Sequence, residues 1–373
     1  MKILIVGGGI GGLTASIALS RAGHTVTLAE RTQQFSPVGA GIIMAPNAAH
    51  ILASLGVELA SRGHPLPFLE IQDAHGVVLQ RIDTGRFETN FGPTYALTRP
   101  ALTEAIRAGL PANVEVLLGR ELTALKEDVN GVEVTLTGEP PRTVDLVIGA
   151  DGLNSTVRRL TLGDWPQRYS GVTCWRGIVP NPGFTGAVEG WGGAGRVGAV
   201  PLKDGQLYYF LVLTAPPRAP NLSWPDGFLA AFGHLGGGVE KLFEAMKGAP
   251  PLHHDLDELD APIWGKGRVL LLGDAAHAMT PNQGQGAAMA IEDAFVITRE
   301  LSKGLDGALE RYRAARQSRV RAVQLDSRRI GQVAHWENLL VRGVRDGMMR
   351  LLPASVGDRQ YRRVIEPGLA LLR

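Results

Sequence analysis

The first 30 residues follow a pattern of apolar and polar positions that is typical of a β-α-β unit. A continuous apolar run over Lys2–Val6 predicts a buried strand, and a glycine-rich turn follows it. Leu13–Ala22 has helical character and ends at Gly23, and Thr25–Ala29 alternates as a second strand does. This order of strand, helix and strand predicts an α/β fold of the Rossmann type.

The middle of the chain has a different character. Strand-like segments separated by prolines and glycines follow one another, with one predicted helix at Phe228–His234. Buried-strand patterns before and after this region, at Val144–Ile148 and Arg268–Leu272, match the first strand. We therefore expect a discontinuous Rossmann-like domain with an inserted, mostly antiparallel β domain and C-terminal helices. The predicted boundaries are 1–168 and 263–335 for the first domain, with an interruption near 69–91 left open, 169–262 for the β domain, and 336–373 for the helical segment.

Two shorter regions carry their own predictions. Val114–Leu118, Glu121–Lys126 and Val132–Thr137 are strand-like and predict a small antiparallel layer, with a hairpin turn at Asn130-Gly131. In the C-terminal segment, the prolines at positions 353 and 367 predict breaks between helices.

Composition limits the classes of function. A net charge of +2 over 373 residues argues against general nucleic-acid binding, and no apolar run reaches the length of a membrane span. The single cysteine, Cys174, allows no intramolecular disulfide and no thiolate metal site, so we expect a cytoplasmic protein without a metal. The charge is uneven, because residues 311–373 contain 14 Arg, no Lys and five acidic residues. This region is either a solvated helical face or a surface for an anionic partner or a membrane.

A glycine fingerprint, Gly7-x-Gly9-x-x-Gly12, lies at the turn between the first strand and the first helix. Gly7 permits the tight turn, Gly9 lets the backbone approach a pyrophosphate, and Gly12 lets helix and strand pack closely. Glu30, at the end of the second strand, is placed to accept a hydrogen bond from a ribose hydroxyl. The spacing predicts a dinucleotide site and by itself does not distinguish FAD from NAD.

Two further motifs follow in order. Residues 149–158 read Gly-Ala-Asp-Gly-Leu-Asn-Ser-Thr-Val-Arg, and Gly273-Asp274 follows a predicted strand. A run of Pro, Gln, Gly and Ala at 281–288 then leads into a predicted helix that begins near Gly286. Together with the glycine fingerprint, these motifs resemble those of the FAD-dependent aromatic hydroxylases, the single-component flavoprotein monooxygenases that include salicylate, hydroxybenzoate and urate hydroxylases. The resemblance extends from residue 7 to about residue 300.

The resemblance implies a set of residues around FAD. Asp274 would hydrogen-bond the ribityl chain, and the backbone of 284–288 would contact the flavin, where the positive end of a helix stabilises the reduced anion. For Asp151 the alternative is a structural role as the cap of the following helix. The cofactor-binding residues predicted in this way are Gly7, Gly9, Gly11, Gly12, Glu30, Arg31, Gly41, Ile43, Arg99, Leu122, Asp151, Asp274, Pro281, Gly284, Gln285, Gly286, Ala287 and Ala288.

The resemblance also implies a reaction. NAD(P)H reduces the flavin, dioxygen forms a flavin C4a-hydroperoxide, and one oxygen atom passes to an aromatic or heteroaromatic substrate. Arg196 and Tyr208 resemble the Arg and Tyr pair of the urate-hydroxylase branch and are the candidate catalytic residues, with solvent-side positions as the alternative. Tyr209 would face away from Tyr208 because neighbouring strand residues alternate between faces. Trp175 and Arg176 are further candidates for substrate contact.

Several alternatives stay open on the sequence alone. Trp175-Arg176-Gly177 is also similar to the salicylate and epoxidase branches, so hydroxylation and epoxidation are not distinguished. A flavin-dependent oxidase or reductase without oxygen transfer shares the N-terminal fold. NADH or NADPH would be a transient co-substrate, because no second glycine fingerprint follows a strand. We expect a monomer or homodimer that acts on a small molecule, with no integral membrane association.

Overall fold

The computed structural model describes residues 1–35, 40–247 and 251–373, which form one parallel sheet, several antiparallel sheets and the helices around them. The helices are α1 (Ile10–Arg21), α2 (Pro46–Ser54), α3 (Gly85–Phe91), α4 (Arg99–Ala108), α5 (Thr156–Leu162), α6 (Asp226–Phe232), α7 (Val239–Ala245), α8 (Asp274–His277), α9 (Gly286–Leu301), α10 (Ala308–Ala334), α11 (Leu339–Leu351) and α12 (Ala354–Leu369). The strands are β1 (Lys2–Val6), β2 (Thr25–Glu30), β3 (Gly41–Met44), β4 (His64–Pro65), β5 (Leu69–Asp73), β6 (Val78–Ile82), β7 (Tyr95–Thr98), β8 (Glu115–Leu118), β9 (Leu122–Asp128), β10 (Gly131–Leu136), β11 (Arg142–Val144), β12 (Leu146–Gly149), β13 (Gln167–Pro180), β14 (Ala187–Trp191), β15 (Gly195–Pro201), β16 (Gln206–Thr214), β17 (Leu252–Leu259), β18 (Gly265–Lys266) and β19 (Val269–Leu271).

A six-stranded sheet with the order β18-β19-β12-β1-β2-β8 forms the nucleotide-binding half of the fold. Its strands run parallel, apart from the antiparallel edge strand β18. Ile3 and Ile5 of β1 face the core that contains α1 and α9, whereas Leu4 and Val6 face the small antiparallel sheet. Because β12 and β19 return to the sheet from distant parts of the chain, this Rossmann-like domain is discontinuous, as predicted.

One strand was assigned to the wrong sheet by its sequence pattern. The segment predicted at Val114–Leu118 forms β8, which pairs in parallel with β2 and closes the edge of the six-stranded sheet. The small antiparallel sheet consists of β11, β10 and β9 instead. A run of four strand-forming residues carries no information about its partner, which explains the error.

The second large sheet has seven strands in the order β17-β13-β16-β15-β14-β5-β6. All neighbouring pairs are antiparallel except β14 and β5. Five of the strands come from residues 167–259, and β5 and β6 come from residues 69–82. The sheet thus draws on two separate segments, and the domain boundaries given above stay predictions. Two helices, α6 and α7, stand where the sequence predicted one.

A buried cluster of charges joins α9 to α10. The Arg316 guanidinium has no solvent exposure and donates to Glu292 Oε2 at 2.6 Å and to Asp293 Oδ1 at 2.7 Å. Asp293 Oδ2 also accepts from the Gly273 backbone N–H at 3.0 Å and lies 2.6 Å from His277 Nε2. Burial opposes ionisation of Asp293, but His277 and Arg316 outweigh it and hold the pKa of this carboxyl at about 2.

The C-terminal helices α11 and α12 pack against β6, and α12 also packs against α2. Pro353 separates the two helices, as predicted. The break predicted at Pro367 is wrong, because α12 continues through this proline and ends two residues later, at Leu369. Among the described residues, no helix combines the length and the apolar character that crossing a bilayer requires.

Candidate active site

A cavity of about 950 Å³ lies between the two large sheets. At one end its wall is the glycine-rich turn after β1, and at the other it is one face of the seven-stranded sheet. The segment 272–287 and the helices α11 and α12 complete the wall. Its volume is at the upper end of the range for small-molecule and cofactor sites.

The N-terminus of α1 opens into this cavity. Gly9 is the N-cap of the helix and provides no side-chain cap, and a Cβ placed on it would meet no atom within 4 Å. A Cβ on Gly12, in contrast, would lie 1.9 Å from the carbonyl oxygen of Gly7, which itself has a φ of +108°. Gly12 and Gly7 therefore serve close packing, and Gly9 leaves room for a ligand beside the free helical N–H groups.

Glu30 lies beside the same turn. One of its carboxylate oxygens accepts from the Gly8 backbone N–H at 2.6 Å, and the other accepts from the Thr32 backbone N–H at 2.9 Å. The side chain also lines the cavity. Glu30 thus fixes the shape of the glycine turn while it presents a carboxylate to the cavity.

A second helix N-terminus opens into the cavity from the other direction. α9 begins at Gly286, and its N-cap, Gln285, forms no side-chain cap. Gly284 before it has a φ of +62°, and a Cβ there would meet nothing within 4 Å. The Asp274 carboxylate lines the cavity nearby. Two uncapped helix N-termini and two carboxylates along the wall of one cavity fit a dinucleotide with a pyrophosphate, a ribose and an anionic ring.

The predicted cofactor residues fall into two groups. Twelve of them line the cavity, namely Gly9, Gly11, Glu30, Gly41, Ile43, Arg99, Asp274, Pro281, Gly284, Gln285, Gly286 and Ala287. Six do not, namely Gly7, Gly12, Arg31, Leu122, Asp151 and Ala288. The assignments in both groups stay predictions. The residues that precede Ala40 in the segment 38–43, Val38 and Gly39, lie outside the described residues.

Asp151 has the capping role that the sequence left as the alternative. Its Oδ2 accepts from the Val157 backbone N–H at 3.0 Å, and its Oδ1 accepts from the Ser155 hydroxyl. Burial raises the pKa of Asp151 above its usual value. The motif also connects two walls of the site, because the Arg158 guanidinium donates to the carbonyl of Ala275 at 2.8 Å. The motif therefore supports the site through Asp151 and Arg158, and its residues Ala150 and Gly152 line the cavity.

Arg196 lines the cavity but is held by protein groups on every side. It is 3% exposed, so the solvent-side alternative is wrong for this residue. Its Nε donates to His335 Nε2 at 2.9 Å, Nη1 donates to Glu189 Oε1 at 2.8 Å, and Nη2 donates to Asn282 Oδ1 at 2.7 Å. These bonds tie the loop before α9 to the seven-stranded sheet and to the end of α10.

Tyr208 also lines the cavity, on the strand next to Arg196. Its ring lies against β3, since a Cβ on Gly41 would be 2.4 Å from Tyr208 Cγ. Burial raises the pKa of Tyr208 to about 12, so its hydroxyl stays protonated at neutral pH and can donate. Tyr209 is buried on the opposite face of the sheet, as predicted.

Of the two other candidates, only Arg176 reaches the cavity. Trp175 lies in the core behind the sheet, edge-on to Phe228 with ring centroids 5.6 Å apart. Arg176 lines the cavity, and its buried Nε has no hydrogen-bond partner among the described residues. None of the carboxylates in the described part of the chain lies within 4.0 Å of it, in contrast to Arg196, which is paired with Glu189.

Some residues of the site had no signal in the sequence. Asn282 and His335 meet Arg196 from distant parts of the chain, and Glu189 meets it from the adjoining strand β14. The C-terminal helices contribute a wall that the sequence did not assign to the site. Its residues are Met349, Leu352, Val356, Gln360, Tyr361 and Val364. The buried positions Gly357, Tyr361 and Ile365 repeat every four residues and were the available sign that α12 packs on the body of the protein.

Comparisons with known proteins identify the family. A family model of the FAD binding domain matches residues 1–170 and 256–326. Aurachin C monooxygenase/isomerase of Stigmatella aurantiaca is 34% identical over 380 residues, which cover 98% of this chain and 98% of that protein. The chain belongs to the FAD-dependent aromatic hydroxylase family. The predicted family and fold class are thus confirmed.

Two further relatives agree with this family. The 2-heptyl-3-hydroxy-4(1H)-quinolone synthase of Pseudomonas aeruginosa strain UCBPP-PA14 is 32% identical over 382 residues, covering 98% of this chain and 97% of that protein. The crystal structure of HpxO from Klebsiella pneumoniae, complexed with FAD and uric acid, matches with a TM-score of 0.89 and 26% identity, covering 99% of this chain and 97% of that chain. This family member is an FAD-dependent monooxygenase, so FAD is its cofactor.

Replacing Gly9 by alanine tests the cofactor end of the cavity. Gly9 has a φ of −76°, which alanine adopts readily, and the new methyl group would occupy only cavity space. We expect FAD to bind at least about tenfold more weakly, while the unfolding midpoint of the apoprotein stays unchanged. Gly12→Ala is the matched control and should lower the apoprotein midpoint itself, since its Cβ overlaps the Gly7 carbonyl. Wild-type FAD affinity in Gly9→Ala would contradict the assignment.

The contact between Arg196 and His335 predicts a pH dependence. Burial and the Arg196 charge lower the pKa of His335 from 6.5 to about 3. Between these values the unfolded chain binds a proton that the folded chain does not bind, so stability falls as the pH falls. At a pH of about 5 the loss is about 2 kcal/mol relative to neutral pH. Urea unfolding should show this loss in the wild type and in the control His234→Gln, which changes an exposed histidine, and a smaller loss in His335→Gln. If the free energy of unfolding of His335→Gln depends on pH as strongly as that of the wild type, His335 is not the source of the dependence.

Proposed function

We propose that this monooxygenase uses NADH or NADPH and O2 to insert one oxygen atom into a heteroaromatic ring that carries an apolar substituent. The observation that carries the proposal is the division of the cavity into three parts. A cofactor end lies at the two helix N-termini, a polar middle part contains Arg176 and Tyr208, and the far end is mostly apolar.

The cofactor end would hold FAD in an extended form. The N–H groups at the start of α1 would bind the pyrophosphate, and Glu30 would accept from the adenosine ribose. Asp274 would hydrogen-bond the ribityl chain, and the N-terminus of α9 would face the pyrimidine edge of the ring. Bound FAD supplies the redox chemistry through which electrons from the nicotinamide activate dioxygen.

The far end of the cavity is suited to an aliphatic chain. β5, β6 and α12 enclose it with side chains that pack on one another. The apolar residues that line the cavity there are Leu69, Ile71, Ile82, Val356 and Val364. Two full-length relatives are named for quinolone chemistry or for aurachin C, and one of these names specifies a heptyl group. Both facts support a ring with an apolar tail.

The polar middle part would bind the oxygen substituent of the ring. Arg196 is already neutralised by Glu189, whereas Arg176 has no carboxylate partner among the described residues. A desolvated, unpaired guanidinium stabilises a phenolate or enolate oxygen, which makes the neighbouring ring carbon electron-rich. Tyr208 would donate to the same oxygen, because its pKa of about 12 keeps the hydroxyl protonated.

Isotope-labelled oxygen tests the proposed reaction. FAD-loaded protein supplied with NADH or NADPH under ¹⁸O₂ should place one labelled atom in an alkyl-substituted hydroxyquinoline. Val356→Trp narrows the apolar end and should lower kcat/KM for the alkyl-substituted ring at least about tenfold more than for the unsubstituted ring. Ser355→Trp, on the exposed side of the same turn, is the control. Product that contains no labelled oxygen would exclude oxygen transfer, and an equal loss for both rings would exclude the apolar tail.

The role of Arg176 is tested separately. Arg176→Gln should lower kcat/KM for a ring with an ionisable hydroxyl by about 10²-fold, since one stabilising cation is lost at the reacting oxygen. Arg176→Lys, which keeps the charge, should recover about tenfold of this loss. The flavin absorbance of both variants should match that of the wild type. If Arg176→Gln retains kcat/KM within about twofold of the wild type, the anion is bound elsewhere.

A further inference from the structure

The helix α11 presents an apolar stripe to solvent. Leu340, Val344, Met348 and Leu351 recur at intervals of three to four residues, so they share one face of the helix. Leu340 is 82% exposed, Val344 is 63% exposed and Leu351 is 85% exposed. Amphipathic helices of globular proteins normally bury such a face against the core, whereas α11 exposes it to solvent.

Contacts on the opposite face of α11 fix this orientation. Arg345 is buried, donates to the Val333 carbonyl at 2.9 Å and lies over the Trp191 ring at 5.3 Å. Met349 lines the cavity, and Arg350 pairs with Asp73. None of the charged side chains of the helix interrupts the apolar stripe, since Arg345 is buried and Arg350 is exposed outside the stripe.

The helix is too short to cross a membrane but has the form of one that lies on a membrane surface. A span needs about 20 residues, and α11 has 13. Interfacial helices bury an apolar face to the depth of the lipid headgroups and are strengthened by basic residues that attract anionic lipids. Residues 336–373 contain seven Arg, no Lys and four acidic residues, a net charge of +3.

A second copy of the chain is a less suitable occupant. A symmetric dimer through this stripe would bring the same surface of both copies together. The two copies of residues 336–373, each with a net charge of +3, would then lie close together, and like charges repel across an interface. An anionic lipid surface offers the apolar depth and the opposite charge together.

We infer that the apolar stripe of α11 docks this enzyme reversibly onto anionic membrane surfaces. The inference rests on the exposed helix and stands independently of the proposed substrate. It has one consequence for the site, because α11 also forms part of the cavity wall through Met349. Docking would place that wall about one helix diameter, some 10 Å, from the lipid.

Vesicle co-sedimentation of the full-length, FAD-loaded protein tests the inference. Vesicles of phosphatidylcholine with about 30% phosphatidylglycerol should bind the wild type at least about tenfold more strongly than pure phosphatidylcholine vesicles, and added salt should weaken the binding. The triple variant Leu340→Gln, Val344→Gln, Leu351→Gln should lose at least about tenfold in binding. Its unfolding midpoint and FAD content should match those of the wild type, since all three side chains are exposed.

A matched control removes exposed apolar side chains elsewhere. The variant Val129→Gln, Leu229→Gln, Leu252→Gln changes three exposed residues outside α11 and should bind vesicles as the wild type does. Failure of the wild type to bind either kind of vesicle overturns the inference, as does undiminished binding of the α11 variant. Equal binding to neutral and anionic vesicles overturns its electrostatic part. A concentration-dependent dimer that the α11 variant abolishes, without vesicle binding, assigns the stripe to a second copy instead.

Discussion

The buried arginine between α9 and α10 is the constraint on which the site depends. Arg316 neutralises Glu292 and Asp293 at positions where no solvent reaches any of the three. The same two carboxylates hold the cavity wall, because Asp293 accepts from Gly273 N–H and Glu292 binds an α2 asparagine amide that also donates to Gln285. Loss of one partner would leave an uncompensated buried charge, at a cost of about 3–5 kcal/mol. The cluster therefore fixes the positions of Gly273 and Gln285 in the cavity wall.

The helix α10 extends this constraint to the substrate side. Arg316 lies in its first half, and His335, which accepts from Arg196, directly follows its last residue. At 1.5 Å per residue the two positions are about 28 Å apart along the helix axis. One rigid helix thus sets the distance between the cofactor loop and the sheet that carries Arg196 and Tyr208.

Local sequence signals predicted the turn that contains Gly9 and Gly12 far better than the opposite wall of the cavity. The conformation and packing of these two glycines depend on a strand and a helix that adjoin them, so spacing alone was sufficient to place them. Arg196 owes its environment to Glu189, Asn282 and His335, the last of which is 139 positions away, and no periodicity records such a meeting. For the same reason, the sequence did not reveal that β8 pairs with β2 or that α12 lies over the cavity. Asp151 shows a further limit, because a motif fixes a residue's position and leaves open whether it serves the ligand or the fold.

Two arginines of the cavity wall, on strands separated by β16, differ in their electrostatic surroundings. Glu189 compensates Arg196, which leaves little of its charge to act on a substrate. The charge of Arg176 has no carboxylate partner among the described residues. Burial, as the larger cause, and the nearby Arg176 lower the pKa of His254 to about 4. A cation at this position would favour the anionic form of a bound hydroxyl. Arg196 thus fixes the geometry of the site, whereas Arg176 is the residue proposed to provide the field for oxygen transfer.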